Sequence, residues 1–481
     1  MQKKELIFMI LLTAWVFLAC FPGLKQPLYW DSAYSLGSHA KRIAINFNLL
    51  NYREKTEVQS TQVYTSFINQ ESDYPHTFGL AMFYAFSLAL FPNNYYVIWH
   101  HVSLLFSIGL LVVIYFLFRE NLAKFKTGMI LALLASNPIF LAQTTLVYHE
   151  IPGALFKYLA IYFLIKNQKN YFLLSALIAF LIRFENGPML IGTAVIWLGL
   201  IKNWKLSLID VKKAWKQIFI LCLAVCLWFF IHLKLNGYLI ISPLFGHEIN
   251  RQKAVQDLYH FLFIEQGRWL ISILTLFLVI FNFKNIKENK KIISVLLLVS
   301  VSIFAIVWYL GNSLPRYTTS ILPFYYFLFV LVLPKHNNLK TKILLSMMML
   351  SILFYQSSFA YKCTGNLETC LSFTRLVSLK KEVAIFLEKN MQNNSSVYVN
   401  WDEIEEFSNP EHGLSYFCKN CTQANLKNFP INASGYEVGD YLVITPNSTS
   451  QTLKIKENQQ LKLIQNFGSN KLDAKLYQLV P

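Results

Sequence analysis

The groups able to do chemistry in this 481-residue chain stand in short polar stretches between long apolar runs. Asp31 follows two aromatics in "PLYWDSAYSLGSHA" (residues 27–40). Asp73 and His76 lie in "SDYPH", His149 and Glu150 in "YHEIP", and Arg183 and Glu185 in "RFEN". His247, Glu248 and Arg251 lie in "GHEINR", and Arg316 and Tyr317 in "PRYTT". Ionisable groups beside apolar runs are costly and tend to mark sites. The aromatic neighbours Tyr29 and Trp30 predict desolvation of Asp31, which would raise its proton affinity toward that of a useful base. A guanidinium such as that of Arg316 grips two oxygens of an oxyanion at once. Asp31 and Arg316 lead the set, because each follows an apolar run directly and has aromatic or proline neighbours that restrict it. Arg183 and Glu185 are two apart and would not share a helix face. They read as a structural pairing with neighbouring helices. For every residue named, the competing reading is a solvated loop charge.

The elements that must position these groups are membrane helices. The chain is 55% hydrophobic and only 14% charged, against about 25% charged in soluble domains. Apolar runs near the ~20 residues that cross a bilayer occur at 5–22, 95–118, 127–146, 151–166, 171–183, 187–201, 217–233, 269–283, 292–310, 319–333 and 342–360, giving eleven spans. The first run follows "QKKE" like a signal peptide, but no small-residue cleavage site is convincing, and it reads as a retained helix. Alternate connections, from "RENLAKFK" to "PKHNNLKTK", carry excess Lys and Arg and face the cytoplasm by the positive-inside rule. The other set holds the chemical groups and faces outside. The net charge of +17 is therefore mainly a topology signal, and nucleic-acid binding is excluded as its explanation. Residues 23–94 form a first outer loop, in which 33–50 and 76–92 read as helices lying along the membrane.

An inside N-terminus and eleven spans place residues 361–481 outside. This tail reads as a small α/β domain: an amphipathic helix in "TRLVSLKKEVAIFLEKNM", then strands in "SSVYVNW", "DYLVIT" and a final hairpin turning at "GSN". Cys20, Cys222 and Cys226 fall in spans and pack as small apolar residues. Cys363, Cys370, Cys418 and Cys421 lie in the tail, where an oxidising compartment favours disulfides, with three pairings open. A zinc site using "CKNC" is the competing reading. Sequons at Asn394, Asn420, Asn432 and Asn447 matter only in a eukaryotic secretory pathway. A bacterial inner membrane is the preferred setting.

The order of these elements resembles the GT-C superfamily of glycosyltransferases that use lipid-linked sugars. The nearest look-alikes are the protein O-mannosyltransferases and the bacterial transferases that add aminoarabinose to lipid A. "PLYWDSAYSLGSHA" looks like the family's first-loop acid. "YPHTFGLAMFYAFSLALFPNNYY" is similar to its His-Pro-Pro juxtamembrane helix. "LASNPIFLAQTTLVYHEIPGALF" resembles its third span and second acidic loop, and "PRYTTSILPFYYFLF" its late Arg-Tyr followed by Leu-Pro. The resemblance covers residues 1–335 as ordered elements. Three departures stand out: Ser32 in place of a frequent Glu, Tyr74-Pro75-His76 in place of His-Pro-Pro, and His149-Glu150 in place of an Asp.

The resemblance implies a mainly α, polytopic enzyme with a catalytic domain at 1–360 and an extracytoplasmic α/β domain at 361–481. It would move a sugar from a polyprenyl phosphate to an acceptor hydroxyl with inversion. Asp31 would be the base, and Glu150 would position the acceptor. Arg316 and Tyr317 would hold the phosphate, with Arg251, Lys253 and Arg268 as secondary cations, and His76 and His149 would position substrate. No cofactor is certain; a divalent cation held by Glu150 with His149 stays open, although hard cations prefer several oxygens. The partners would be the lipid-linked sugar, membrane lipid and a glycan, lipid or protein acceptor. The alternative is a transporter or flippase of a polyprenyl-linked or anionic substrate, which should show internal repeats and broken mid-membrane helices. No convincing repeat is present. A third reading, a scaffold whose tail binds a partner, has no need of Asp31 or Arg316.

Overall fold

The structure is a computed structural model. It describes residues 3–28, 32–37, 39–40, 43–44, 78–91, 95–201, 208–236, 255–256, 258–310, 315–334, 339–360, 369–390, 396–399, 426–428, 441–444, 460–469 and 472–480. The helices, in chain order, are α1 (Lys3–Cys20), α2 (Gly79–Leu90), α3 (Tyr95–Arg119), α4 (Lys124–Ser136), α5 (Pro138–Thr145), α6 (Glu150–Ile165), α7 (Lys169–Ile182), α8 (Asn186–Ile201), α9 (Leu208–Asn236), α10 (Trp269–Glu288), α11 (Lys290–Leu310), α12 (Leu322–Val332), α13 (Leu339–Ser358) and α14 (Ser372–Asn390). Five strands follow: β1 (Val397–Val399), β2 (Leu426–Asn428), β3 (Tyr441–Ile444), β4 (Gln460–Ser469) and β5 (Leu472–Val480).

Among the described residues, α1, α3 and α10 are long and apolar enough to cross a membrane. At 1.5 Å per residue the 25 residues of α3 reach about 37 Å, past the ~30 Å hydrocarbon core. Leu11, Leu18, Phe281 and Phe354 are exposed on the helical part. An apolar outer surface of this kind suits lipid rather than water.

The expected single span at 127–146 is broken in two. α4 and α5 meet at 62°, because Asn137 takes an extended backbone and Pro138 opens the next helix. Proline has no N–H and its ring clashes with the preceding turn. The Asn137 side chain accepts from the Phe140 N–H at 3.2 Å and caps the new helix. Its Nδ2 donates to the Tyr326 hydroxyl at 2.8 Å, which also accepts from Gln356 Nε2 at 2.8 Å. The kink is thus tied to α12 and α13.

Charges gather at two ends of the helices. At one end Glu5 pairs with Arg119 at 3.2 Å and Lys124 at 3.0 Å, and Lys166 pairs with Glu120. The buried Lys126 ammonium donates to the Leu333 carbonyl at 2.7 Å, closing the C-terminus of α12, where a cation also suits the helix dipole. At the other end lie the loops that hold Glu150, Arg183 and Arg316.

The sheet runs in the order β2-β1-β3-β5-β4, parallel between β1 and both β2 and β3, antiparallel from β3 onward. The first half of α14 (Phe373, Leu376, Val377) packs in the helical core. Its second half (Leu379, Val383, Ala384, Leu387) packs on Val397, Val443 and Leu476 of the sheet. Cys370 is disulfide-bonded; Cys363, Cys418 and Cys421 lie outside the described residues. Cys20, Cys222 and Cys226 are free.

Candidate active site

The centre of the site is the start of α6. Glu150 opens this helix, a position where a carboxylate is favoured by the helix dipole. α6 packs against α3, α7, α8 and the short 3-10 turn Pro315–Ser320. The Tyr158 hydroxyl donates to the Ser320 carbonyl at 2.8 Å, pinning that turn to the helix. Arg316 and Tyr317 therefore arrive beside Glu150.

Glu150 Oε1 lies 3.4 Å from Arg316 Nε and accepts from an Arg183 terminal nitrogen at 3.3 Å. Arg183 also pairs with Glu185. Arg183 thus joins the neighbouring helix α6 through Glu150, and it meets Glu185 as well, which helix spacing does not anticipate. The helix-face rule holds only inside a helix, and Arg183 sits just past α7 in extended backbone (φ −144°, ψ 119°). Aromatic rings hold both guanidiniums: Arg316 lies over Tyr148 at 4.6 Å, and Arg183 over Tyr317 at 5.2 Å. Such stacking fixes a planar cation while leaving donors for a ligand.

His149 is buried beside this cluster. Burial first, and then the charges of Arg183, Arg316 and His39, hold its pKa well below the usual 6.5. It is neutral at neutral pH, and suits hydrogen bonding rather than charge pairing. The same interaction brings His39, from the first loop, into the site. Leu28, Leu36, Ala40 and Ile43 of that loop pack with Trp99 and Val147. His100 fastens the loop further: one ring nitrogen lies 2.5 Å from the Thr145 carbonyl and the other 3.0 Å from that of Gln26. Asp31 itself, Asp73, His76, His247, Glu248, Arg251 and Lys253 lie outside the described residues. Arg268 is fully buried, bound to Glu265 and to the Phe261 carbonyl at 2.6 Å, away from any open surface.

A narrow cavity of about 30 Å³ opens below Glu150, lined by Gly153, Ala154, Lys157, Arg183, Asn186 and Tyr317. Beyond Ile182 an apolar groove of about 650 Å³ runs between α2 and α7, with Phe106, Phe156 and Leu181 in its wall. Gly79 permits this packing, since a Cβ there would lie 2.6 Å from the Leu181 carbonyl oxygen. Among the described residues no three His, Cys, Asp or Glu side chains gather as a metal site. Glu150 is engaged by two arginines, so no metal step is derived.

Sequence reasoning missed Arg183 as a central residue, and Lys157 altogether. The signal for Lys157 was present: a lone lysine inside the apolar run "IPGALFKYLAIYFLI".

This helical arrangement with its trailing sheet is a fold shared with solved structures of low sequence identity. The chain is similar to the crystal structure of ArnT from Cupriavidus metallidurans bound to undecaprenyl phosphate, with TM-score 0.52 and 8% identity over 98% of this chain and 97% of that one. It is also similar to the archaeal oligosaccharyltransferase AglB from Archaeoglobus fulgidus in complex with an inhibitory peptide and a dolichol-phosphate. There the TM-score is 0.53 and the identity 9%, over 92% of this chain and 69% of that one. No protein-family model matches the chain, and no curated protein sequence matches it.

Proposed function

We propose that this protein is an integral-membrane glycosyltransferase that moves a sugar from a polyprenyl-phosphate donor to an acceptor hydroxyl on the outer face of a bacterial inner membrane. The observation that carries the reading is Arg316, stacked on Tyr148 and braced by Glu150 at the end of the helices where the first loop also packs. An apolar groove of about 650 Å³ begins one residue from Arg183 and suits an isoprenoid chain. The solved neighbours described as bound to undecaprenyl phosphate and dolichol-phosphate support this choice of donor.

In this reading Asp31 takes the proton of the acceptor hydroxyl. The acceptor oxygen forms a bond to the anomeric carbon from the face opposite the leaving group. The bond from that carbon to the phosphate oxygen breaks, and polyprenyl phosphate departs with the electron pair. A phosphate is already a good leaving anion, so catalysis rests on balancing its growing charge, the task given to Arg316 with Tyr317. Glu150 and neutral His149 orient the acceptor. Eleven spans, a catalytic part at 1–360 and an extracytoplasmic tail at 361–481 belong to the same proposal.

The test uses purified full-length protein in nanodiscs, a panel of polyprenyl-phosphate sugars and a lipid-extract acceptor pool. Release of polyprenyl phosphate matched by labelled product supports the reading. Movement of an intact labelled donor across vesicles without cleavage points to a flippase instead.

A further inference from the structure

Four helices meet around a small pocket at the end of the molecule away from Glu150. α6 brings Phe163, α7 Lys169 and Phe172, α8 Trp197 and α9 Gln217. The pocket lies about 20 Å along α6 from Glu150. It adjoins Lys166, which pairs with Glu120, at the end that the positive-inside rule places in the cytoplasm.

Two polar atoms of its wall are unanswered. Trp197 Nε1 and Gln217 Oε1 are shut off from solvent, and neither has a hydrogen-bond partner among the described residues. Gln217 Nε2 donates to Asn170 Oδ1 at 3.4 Å, which leaves the amide oxygen as the group still to be satisfied. Unmade bonds of this kind are costly. The indole N–H needs an acceptor and the amide oxygen needs a donor. A hydroxyl is both, so one hydroxyl in the pocket answers the two.

The rim adds charge. Lys169 lines the pocket, and Lys216 stands exposed one residue before Gln217. Among the described residues no Asp or Glu lines it. α7 and α9 pack on each other, and just beyond the pocket they expose Tyr171, Leu174, Phe219 and Leu223. A basic pocket between membrane helices on the cytoplasmic side is a setting for the headgroup of an anionic lipid.

We propose that this pocket binds a phosphatidylglycerol headgroup from the inner leaflet. A glycerol hydroxyl enters, accepting from Trp197 Nε1 and donating to Gln217 Oε1. About 40 Å³ suits this small end. The phosphate stays at the mouth beside Lys169 and Lys216, and the acyl chains run along α7 and α9. Phosphatidylethanolamine fits less well, because an ammonium only donates and leaves Trp197 unanswered. Phosphatidate has no headgroup hydroxyl to send in. A water answers the two polar atoms and has no use for the lysines. The site is separate from the transferase centre and does not depend on that reading.

The experiment titrates detergent-purified full-length protein with phosphatidylglycerol, phosphatidylethanolamine and phosphatidate of the same acyl chains. Native mass spectrometry reads the first bound lipid. The wild type should hold the first phosphatidylglycerol on the order of tenfold more tightly than either other lipid. Trp197→Phe and Gln217→Leu each remove one of the polar atoms. Each should weaken phosphatidylglycerol about five- to tenfold and leave phosphatidate within about twofold. Equal first-lipid affinities in the wild type leave the two atoms to water and overturn the proposal. So does a phosphatidylglycerol preference that persists in both variants. Displacement of the lipid by soluble glycerol 1-phosphate at equal concentration assigns the pocket to a free phosphate ester and overturns it too. Should one variant fail to fold, the other variant and the wild-type order of lipids decide.

Discussion

Glu150 and Arg316 meet at 3.4 Å, across a separation of just over a third of the chain, and Arg183 joins them from a third loop. One carboxylate therefore organises two cations at the end of the helices where the first loop packs. Removing it leaves the Arg183 guanidinium with Glu185 and takes a paired carboxylate from the buried Arg316. Glu150→Gln should lower stability by about 3–5 kcal/mol, the usual cost of breaking a buried ion pair from one side. Thermal unfolding in nanodiscs measures this, and a change below about 1 kcal/mol would show that the cluster is not a structural centre.

Arg316→Lys keeps the charge but loses the planar fork and its stacking on Tyr148. The donor KM should rise on the order of tenfold or more with a stable fold, because a lysine cannot hold two phosphate oxygens in one plane. Steady-state kinetics against donor concentration checks this. An unchanged KM would move the phosphate elsewhere.

His149 gives a pH signature. Its folded pKa lies well below the ordinary 6.5, so the unfolded chain binds the proton more readily. Its contribution to stability is complete above about 6.5 and declines as the pH falls from there toward the lowered native value. His149→Gln should flatten this part of the stability–pH curve, read by chemical denaturation at a series of pH values. A curve with the wild-type slope would assign the acid loss to other groups.

Gly79 lets α2 lie against α7. Gly79→Ala sets a methyl 2.6 Å from the Leu181 carbonyl oxygen, a backbone contact that cannot swing aside. The variant should lose about 1–3 kcal/mol and bind a fluorescent polyprenyl phosphate more weakly, since α2 forms one wall of the apolar groove. Unchanged lipid binding would separate the groove from the donor.

The sequence made the helices legible because lipid demands long apolar runs, and the lysine-rich loops alternate with the chemically mixed ones. Glu150 and Arg316 were legible as candidates since each is an ionisable group at the end of such a run. Four features were not. The break at Asn137–Pro138 was written in "SNPIF", an N-cap residue followed by proline at the first helical position, but continuous hydropathy hid it. The contact of Arg183 with Glu185 escaped because helix spacing was applied to a residue in extended backbone. Lys157 escaped because one lysine barely alters the hydropathy of its helix. The short β2 strand, "LKN", has no alternation to reveal it and forms by pairing with β1.

The central claim is cleavage of a polyprenyl-phosphate sugar with transfer at a site that joins Asp31 to the Glu150–Arg316 pair. The most direct measurement is release of polyprenyl phosphate, coupled to labelled product, by purified wild type, Asp31→Asn and Arg316→Ala at saturating acceptor. The account predicts matched release and transfer by the wild type, with both variants slower by on the order of 100-fold or more. Release and transfer by Asp31→Asn at the wild-type rate, or no cleavage of any such donor by the wild type, would contradict it.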